Sequence, residues 1–185
     1  MKKYIFLDRD GVINKNPPYG DYIRRAADFK FLPHVTKAIK LLTEAGFTSV
    51  IISNQSGIGK GLFTKTDLIK IDAKMLKGVK TKGGSLSGTY YCIHPTTVNC
   101  DCKKPKTGLL KKAVGKNKVD FRKSFFIGDT ERDTVAGTTF GVKTIAVLSG
   151  YAKRKDIKKW KIQPDYIADD LYSAVKDIVL ERGTK

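Results

Sequence analysis

Acidic side chains follow two short apolar runs of the sequence, at the points where buried strands would end. Asp8 and Asp10 come directly after the apolar residues 4–7, and a second acidic segment, 128–133, follows the mostly apolar residues 124–127. In phosphoryl transfer a carboxylate can attack phosphorus, a second can move the proton, and Mg²⁺ can bridge carboxylates and phosphate. These two segments therefore predict metal-assisted phosphoryl transfer.

Donor groups that suit a phosphate lie in two segments between the acidic ones. Residues 53–57 offer hydroxyl, amide and backbone N–H groups in a glycine-containing turn after the apolar residues 47–52, and Lys103 and Lys104 supply ammonium groups. Such groups can hold the equatorial oxygens of a phosphate while its charge redistributes. Each segment alone is ordinary in a turn or a surface loop. Their order along the chain argues against coincidence, so we predict one shared site.

The remaining sequence predicts the elements that would bring these segments together. Apolar runs of strand length alternate with amphipathic segments of helical periodicity. The predicted strands are residues 4–7, 47–52, 89–92, 124–127 and 142–148, the predicted helices are residues 33–45, 64–76, 107–116, 131–140 and 171–180, and residues 80–88 are a predicted surface loop. Such alternation favours a parallel sheet, in which ligands bind at the carboxyl ends of the strands. We therefore predict one α/β domain, residues 1–185, with a three-layer, Rossmann-like sheet.

All three cysteines fall within residues 92–102, together with one of the two histidines. The pattern C-x-H-x5-C-x-C, formed by Cys92, His94, Cys100 and Cys102, offers four ligands that suit tetrahedral Zn²⁺. An odd number of cysteines excludes a full set of internal disulfides, and free or redox-active thiols are the alternative. A closed set of four protein ligands is structural. We therefore predict a zinc loop that stiffens the chain just before the lysine pair.

The chain of 185 residues carries 36 Lys and Arg against 18 Asp and Glu, a formal net charge of +18. This excess favours anionic partners such as phosphorylated metabolites or nucleic acid. The cations are 29 lysines and 7 arginines, whereas planar recognition of phosphate and guanine tends to use arginine. We therefore expect most of the excess on solvated surface, including a basic run at 153–161. The expected partner is a phosphorylated small molecule, with nucleic acid unfavoured.

Two features of the sequence bear on where the protein works. No apolar run reaches the roughly 18 residues of a membrane span, and the apolar run after Lys2 and Lys3 is too short for a signal-peptide core. We therefore expect a cytoplasmic protein with no membrane partner. In the absence of an evident apolar surface stripe, a monomer is the default expectation.

In order, the four polar segments resemble the four motifs of the haloacid dehalogenase superfamily. The first motif is matched by Phe-Leu-Asp-Arg-Asp-Gly-Val at 6–12, the second by Ser53, the third by Lys104, and the fourth by Gly-Asp at 128–129 with Asp133. The resemblance extends from about residue 4 to about residue 180. It implies the fold of that superfamily, and hydrolysis of a phosphate ester through an aspartyl-phosphate.

The resemblance also implies a role for each matching residue. Asp8 would be the nucleophile, Asp10 the general acid and base, and Lys104 would neutralise charge on the aspartate and the phosphate. The implied Mg²⁺ ligands are Asp8, Asp10 through its backbone carbonyl, Asp129, and Asp133 as a ligand or a supporting residue. The predicted substrate-binding residues are Ser53, Asn54, Gln55, Ser56, Lys103, Tyr19 and Arg24.

The zinc loop before the third motif resembles the histidinol-phosphatase-like branch of the superfamily. This branch includes phosphatases that act on a heptose bisphosphate and on histidinol phosphate. Segments 54–58, 88–92 and 148–151 are more similar to the heptose group, whereas the five-residue gap between His94 and Cys100 is more similar to the histidinol-phosphate group. The longer matches favour a heptose bisphosphate as substrate, with histidinol phosphate as the alternative.

Departures from the heptose pattern keep the substrate open. Lys103 stands where that group usually has Arg, and Thr130 stands where a Lys often follows the fourth-motif Asp. A lysine is a point charge, whereas an arginine is a planar two-pronged donor. Two further alternatives are a nucleic-acid 3′-phosphatase and a zinc-stabilised binding module that has lost catalysis. The presence of every expected catalytic carboxylate speaks against the last of these.

The spacing of the motifs predicts an open site. The first and second motif residues are separated by 44 residues, and the second and third by 50. Core elements and loops fill both gaps, which leaves no room for a separate cap domain. Substrate specificity would then come from loops such as 14–25, the zinc loop and 57–61. In the first of these, Tyr19 and Arg24 are candidates for contact with a distal phosphate or a sugar.

Overall fold

The alternating pattern folds into a parallel sheet. The structure, a computed structural model, describes residues 1–183. Its strands are β1 (Tyr4–Leu7), β2 (Thr48–Asn54), β3 (Thr89–Cys92), β4 (Phe125–Gly128), β5 (Lys143–Val147) and β6 (Tyr166–Ala168). Within the described residues they form a six-stranded sheet in the order β3-β2-β1-β4-β5-β6. Every neighbouring pair is parallel, which confirms the predicted α/β sheet.

Helices connect these strands. They are α1 (Val35–Glu44), α2 (Lys65–Thr81), α3 (Gly108–Val114), α4 (Glu131–Phe140), α5 (Arg154–Ile157), α6 (Leu171–Ser173) and α7 (Leu180–Gly183), with the π-helical residues Ala174–Val179 between the last two. At the start of α2, the Thr64 hydroxyl accepts a hydrogen bond from the Asp67 backbone N–H, and the Asp67 carboxylate accepts one from the Thr64 N–H. This reciprocal capping box makes Thr64 the N-cap of α2.

Side chains of β1 alternate between two apolar layers. Ile5 and Leu7 pack with α1, α2 and the C-terminal helical segment. Tyr4 and Phe6 point to the opposite face and pack with α3 and α4. This two-residue period is what a strand buried on both faces requires. The three-layer arrangement predicted from the sequence is therefore confirmed.

The structure also differs from the prediction in three places. Helix α2 continues to Thr81, past the predicted end at residue 76 and into the first two residues of the predicted loop 80–88, because the buried Val79 adds another turn to its apolar stripe. The sequence does not predict α5 or β6, since four and three residues are too short to show a period. As a result, the basic run at 153–161 lies between β5 and β6, not after the last strand.

The carboxyl ends of the strands are not covered by a second domain. Within residues 1–183, the connections between β1, β2 and β3 consist of loops with α1, α2 and one short 3₁₀ turn, Ala26–Asp28, so no cap domain is present there. This agrees with the short spacing of the motifs. Among the described residues, no helix has the length and apolar character needed to cross a membrane.

Candidate active site

The connectivity of the sheet changes direction between β1 and β4, and the loops after these two strands diverge there. Such a switch point opens a crevice at the carboxyl ends of the strands. A cavity of about 680 Å³ lies at this point. Nine of the predicted site residues line it: Asp8, Asp10, Tyr19, Ser53, Asn54, Ser56, Lys103, Lys104 and Asp129. The fold therefore brings together polar segments that are up to 121 positions apart in the sequence, since 129 − 8 = 121.

Lys104 links two of the predicted carboxylates. Its side chain is 3% exposed, and its Nζ lies 3.0 Å from Asp8 Oδ1 and 2.6 Å from Asp133 Oδ1. The other Asp133 oxygen accepts hydrogen bonds from the backbone N–H and the hydroxyl of Thr130. Because both of its oxygens are engaged, Asp133 is arranged to support Lys104 and the start of α4 more than to ligate a metal.

Asp129 lies close to Asp8 and Asp133 and is fixed by two donors. Its Oδ2 accepts hydrogen bonds from Asn16 Nδ2 at 3.0 Å and from the Tyr151 backbone N–H at 2.8 Å. Two glycines let the chain approach this carboxylate. A Cβ on Gly150 would lie 1.9 Å from Asp129 Oδ2, and one on Gly11, where φ is +82°, would lie 2.3 Å from it.

Three carboxylates converge at this site. Asp8, Asp129 and Asp133 are buried, and one oxygen of each lies within 4.8 Å of the others. Burial raises the pKa of Asp8 to about 6, against the pull of Lys104. Burial, and then repulsion from the other two carboxylates, raises the pKa of Asp129 to about 7. Carboxylate oxygens are the ligands that Mg²⁺ prefers, so the residues present fit a magnesium ion that would offset this repulsion.

Without added Mg²⁺, we expect the stability of the protein to fall as pH rises from about 4 to about 8. In the folded state Asp8 and Asp129 still hold protons at a pH where the unfolded chain, with an Asp pKa of about 3.9, has lost them. The stability that these two protonated groups contribute is complete below about pH 4. It is lost as pH rises through their folded-state pKa values, about 6 for Asp8 and about 7 for Asp129. Added Mg²⁺ should raise Tm by several degrees more at high than at low pH, which thermal melts would measure.

Asp129→Asn provides the control for this experiment. The variant should lose most of the extra Mg²⁺-induced rise in Tm at high pH, because one of the repelling carboxylates is gone. An equal Mg²⁺-induced shift at both pH values in the wild type would contradict the proposed coupling between the carboxylates and the cation.

Asp10 is held apart from this cluster by its own set of donors. Its carboxylate accepts hydrogen bonds from Arg9 Nε and Nη2 at 3.1 to 3.2 Å, from Asn14 Nδ2 at 2.8 Å and from Gln55 Nε2 at 2.9 Å. The side chain is 18% exposed and faces the cavity. Asp10 is therefore rigidly oriented and accessible to a bound ligand.

The residues at and just after the end of β2 divide into two groups. Ser53 and Ser56 line the cavity. Asn54 also lies there, but its amide is engaged: Oδ1 accepts from the Lys104 N–H at 3.0 Å and Nδ2 donates to the Lys104 carbonyl at 3.1 Å. The buried Gln55 side chain binds Asp10 and Ser53 instead of facing the cavity. The second pair thus orients residues that were predicted to react or to bind charge.

The predicted substrate-side residues are also placed differently from one another. Lys103 lines the cavity, and its buried Nζ has no hydrogen-bond partner among residues 1–183. Tyr19 is 91% exposed at the cavity edge, with its ring edge-on to Tyr151. Arg24 pairs with Asp21 at 2.7 Å and lines a separate shallow depression. The structure therefore does not bring Arg24 to the cavity.

Sequence reasoning missed several residues of the site. Arg9, Asn16 and Tyr151 orient predicted carboxylates, and further missed residues line the cavity: Lys60, Thr96, Arg132, Asp156 and Trp160. A signal existed for Arg9, since a cation between two carboxylates at a strand end will pair with one of them if buried. Arg132 and Asp156 lie on α4 and α5, and the other residues come from loops whose path no local pattern predicts.

The cysteine cluster is assembled at the end of β3. Cys92, which pairs in register with Asn54 of β2, has its Sγ 3.6 Å from Cys100 Sγ, and His94 Nδ1 lies 3.2 Å from Cys102 Sγ. A disulfide needs about 2.05 Å, so these thiols are free. Ligands at about 2.0 to 2.3 Å from one zinc ion are about 3.3 to 3.8 Å apart, close to the spacing observed. The residues present therefore fit a tetrahedral metal site.

The order of the strands, together with the three carboxylates and Lys104 at the switch point of the sheet, defines the class of protein. The chain is a phosphatase of the haloacid dehalogenase superfamily. A family model described as HAD-hydrolase-like matches residues 101–174. Among curated relatives, the D-glycero-beta-D-manno-heptose-1,7-bisphosphate 7-phosphatase of Neisseria meningitidis is 36% identical, with 82% of this chain and 80% of that protein covered. The Chlorobaculum tepidum D-glycero-D-manno-heptose-1,7-bisphosphate 7-phosphatase is 34% identical, with 98% and 96% covered.

Solved structures of heptose bisphosphate phosphatases also match this chain. The D,D-heptose 1,7-bisphosphate phosphatase of B. bronchiseptica, complexed with magnesium and phosphate, is 29% identical and superposes with a TM-score of 0.89 over 97% of this chain and 99% of that chain. The Burkholderia thailandensis D,D-heptose 1,7-bisphosphate phosphatase is 27% identical, with a TM-score of 0.72 over 96% and 99%. The chain belongs to the D-glycero-D-manno-heptose-1,7-bisphosphate 7-phosphatase family.

Proposed function

We propose that this protein removes the 7-phosphate of D-glycero-D-manno-heptose 1,7-bisphosphate through an aspartyl-phosphate on Asp8. The observation that carries the proposal is the position of Asp8, buried at the base of the cavity with the Lys104 ammonium 3.0 Å away. A carboxylate held beside a cation, and open to a cavity on one side, is placed to attack an incoming phosphate. The activity in the names of the relatives supports the choice of substrate.

Two balanced steps describe the reaction. In the first, an Asp8 carboxylate oxygen bonds to phosphorus, and the bond between phosphorus and the substrate oxygen breaks as Asp10 donates a proton to that oxygen. In the second, a water oxygen bonds to the same phosphorus, Asp10 takes a proton from that water, and the bond to Asp8 breaks. Ser53 and Lys104 are placed to bind the phosphate oxygens as charge moves between these steps.

Mg²⁺ is the proposed cofactor. The carboxylates of Asp8 and Asp129, with the backbone carbonyl of Asp10, would hold it, and Asp133 would support the site through Lys104 and Thr130. When bound, the ion would neutralise charge on the carboxylate and on the phosphate. The magnesium in the B. bronchiseptica structure supports this assignment.

The substrate is tested by comparing phosphate release from several phosphate esters. With Mg²⁺ present, we expect kcat/KM for the heptose 1,7-bisphosphate to exceed that for histidinol phosphate by at least about 100-fold, a difference of about 2.7 kcal/mol in transition-state binding. Histidinol phosphate remains the second candidate because of the five-residue gap between His94 and Cys100. Faster turnover of histidinol phosphate, or of a 3′-phosphorylated oligonucleotide, would overturn the proposed substrate.

We also propose that Cys92, His94, Cys100 and Cys102 bind a structural zinc ion. The proposal rests on the convergence of four suitable ligand atoms at tetrahedral spacing, with Cys102 two residues before Lys104. Protein purified under reducing conditions should contain about one zinc per chain. Cys100→Ser should remove most of that zinc, lower Tm and reduce kcat by about 10-fold through a loosened Lys104.

Val98→Ala is the matched control for the zinc experiment. Val98 lies in the same loop, is 44% exposed and offers no ligand atom, so zinc content and kcat should not change. A zinc content near zero in the wild-type protein would exclude the structural zinc.

A cytoplasmic location and a monomeric state remain part of the proposal. Three free thiols at ligand spacing stay available to a metal only where disulfides do not form, which supports a reducing compartment. Size-exclusion chromatography with light scattering would test the monomer, and a stable dimer peak would exclude it.

A further inference from the structure

Arg9 is the largest side chain that the described part of the chain buries completely. Its guanidinium, 0% exposed, binds the Asp10 carboxylate through Nε and Nη2, while Nη1 makes no hydrogen bond with the described residues. Arg9 and Asp10 are neighbours in the chain, so this contact alone fixes only one edge of the guanidinium. Whatever lies behind Arg9 therefore contributes, together with the Asn14 and Gln55 amides, to how firmly Asp10 is held.

The ring of Tyr91 supplies that support. The Arg9 Cζ lies 5.9 Å from the centre of the Tyr91 ring, within the range of a cation–π contact. Tyr91 belongs to β3, where it pairs in register with Ser53 of β2. The aromatic ring thus connects the edge strand of the sheet with the side chain that binds Asp10.

Asp72 in turn fixes the Tyr91 ring. The Tyr91 hydroxyl donates a hydrogen bond to Asp72 Oδ1 at 2.5 Å, and the Thr89 hydroxyl donates to Asp72 Oδ2 at 2.9 Å. Asp72 lies on α2 and is partly buried between this helix and the sheet. Neither Tyr91 nor Asp72 lines the cavity, so neither can contact a bound phosphate ester directly.

We propose that Tyr91 and Asp72 are positioning residues for the proton transfer by Asp10, and that they act through Arg9. Asp72 fixes the tyrosine ring, the ring supports the guanidinium, and the guanidinium orients the carboxylate toward the oxygen that leaves phosphorus. This inference rests on the proposed function, because it assigns a role within the same reaction. It predicts that substitution of Tyr91 or Asp72 slows the reaction most for esters whose leaving group most needs a proton.

The test compares two leaving groups in Tyr91→Phe, Tyr91→Leu and Asp72→Asn. A sugar alkoxide needs protonation as it leaves, whereas p-nitrophenolate hardly does, so a displaced Asp10 should strongly slow formation of the aspartyl-phosphate only from the first ester. Hydrolysis of the aspartyl-phosphate also uses Asp10 and is common to both esters, so the comparison is made in kcat/KM, which reports the first step. We expect Tyr91→Leu to lower kcat/KM for the heptose bisphosphate about 10-fold more than kcat/KM for p-nitrophenyl phosphate. Tyr91→Phe and Asp72→Asn should show the same direction with a smaller ratio, about 3-fold.

Ser124→Ala provides the control for a purely structural loss. Ser124 is fully buried at the start of β4, where its hydroxyl accepts from the Tyr4 N–H and donates to the Asp120 carbonyl. This variant should lower Tm without changing the ratio of the two kcat/KM values. If the Tyr91 and Asp72 variants lower both kcat/KM values equally, the positioning role is excluded. Failure of the wild type to hydrolyse either ester would instead exclude the proposed function, and the positioning role with it.

Discussion

Asp8→Asn should reduce kcat for the heptose bisphosphate by about 10⁴-fold or more, which makes it the most damaging single change we expect. The amide is nearly isosteric with the carboxylate, but its oxygen is too weak a nucleophile to attack phosphorus. The substitution also removes a buried carboxylate that repels Asp133 and raises the pKa of Asp129. The folded protein should therefore be as stable as the wild type or more stable in the absence of Mg²⁺.

A large fall in kcat without a fall in stability would show that the variant has lost a reacting group and not its folded structure. Phosphate release measures kcat, and thermal melts without added Mg²⁺ measure stability. Asp177→Asn, at an exposed position in the C-terminal helical segment, makes the same chemical change away from the cavity and should leave both quantities unchanged. Retention of more than about 1% of wild-type kcat by the Asp8 variant would rule out an aspartyl-phosphate on this residue.

Lys104→Met should have the largest combined effect on stability and activity. The ammonium is 3% exposed and pairs with both Asp8 and Asp133, so its removal leaves buried carboxylates without their partner. Breaking a buried pair in this way costs about 3 kcal/mol or more, which lowers Tm by about 6 to 12 °C in a protein of this size. Loss of a group that stabilises the transferring phosphate should lower kcat by about 10² to 10³-fold.

Lys106→Met is the matched control for this variant. Lys106 lies two positions further along the same loop, but its side chain is 46% exposed and its carboxylate partner, Asp101, is fully exposed. An exposed pair of this kind contributes little, so Tm and kcat should hardly change. If the Lys104 and Lys106 variants have similar melting temperatures, the buried ion pairs do not stabilise the fold as argued. Mg²⁺ should restore part of the stability of the Lys104 variant but little of its kcat.

The sequence predicts the parts of the fold that depend on local patterns. β1 is found because four apolar residues precede two carboxylates, and the start of α2 is found because a threonine, a favoured N-cap residue, precedes a segment of helical periodicity. β6 is not found, because Tyr166–Ala168 is a short edge strand with two of its three residues only partly buried. Periodicity needs more residues than such a strand offers.

The same difference applies to the site. Asp8, Asp10 and Asp129 can be predicted because they follow the ends of β1 and β4 closely, where the sheet itself determines their position. Most of the residues that orient these groups cannot be predicted from the sequence, because their contacts join distant segments. Asn54, for example, binds the backbone of Lys104, 50 positions away. The cavity edge depends on a similar contact, from the Tyr151 hydroxyl to the Pro17 carbonyl. Arg24 was expected at the cavity because that loop path was unknown.

The contact between Asn54 and Lys104 also determines which parts of this molecule are free to change in length. The lysine is attached to β2 by the asparagine amide, and the cysteine cluster ties the preceding loop to β3. Between these attachments, residues 95–99 are mostly exposed, and Thr96 lies at the cavity wall. An insertion there would reshape the entrance without shifting the ammonium group. The loop is therefore the place where related or redesigned enzymes can exchange one substrate for another while keeping the same chemistry.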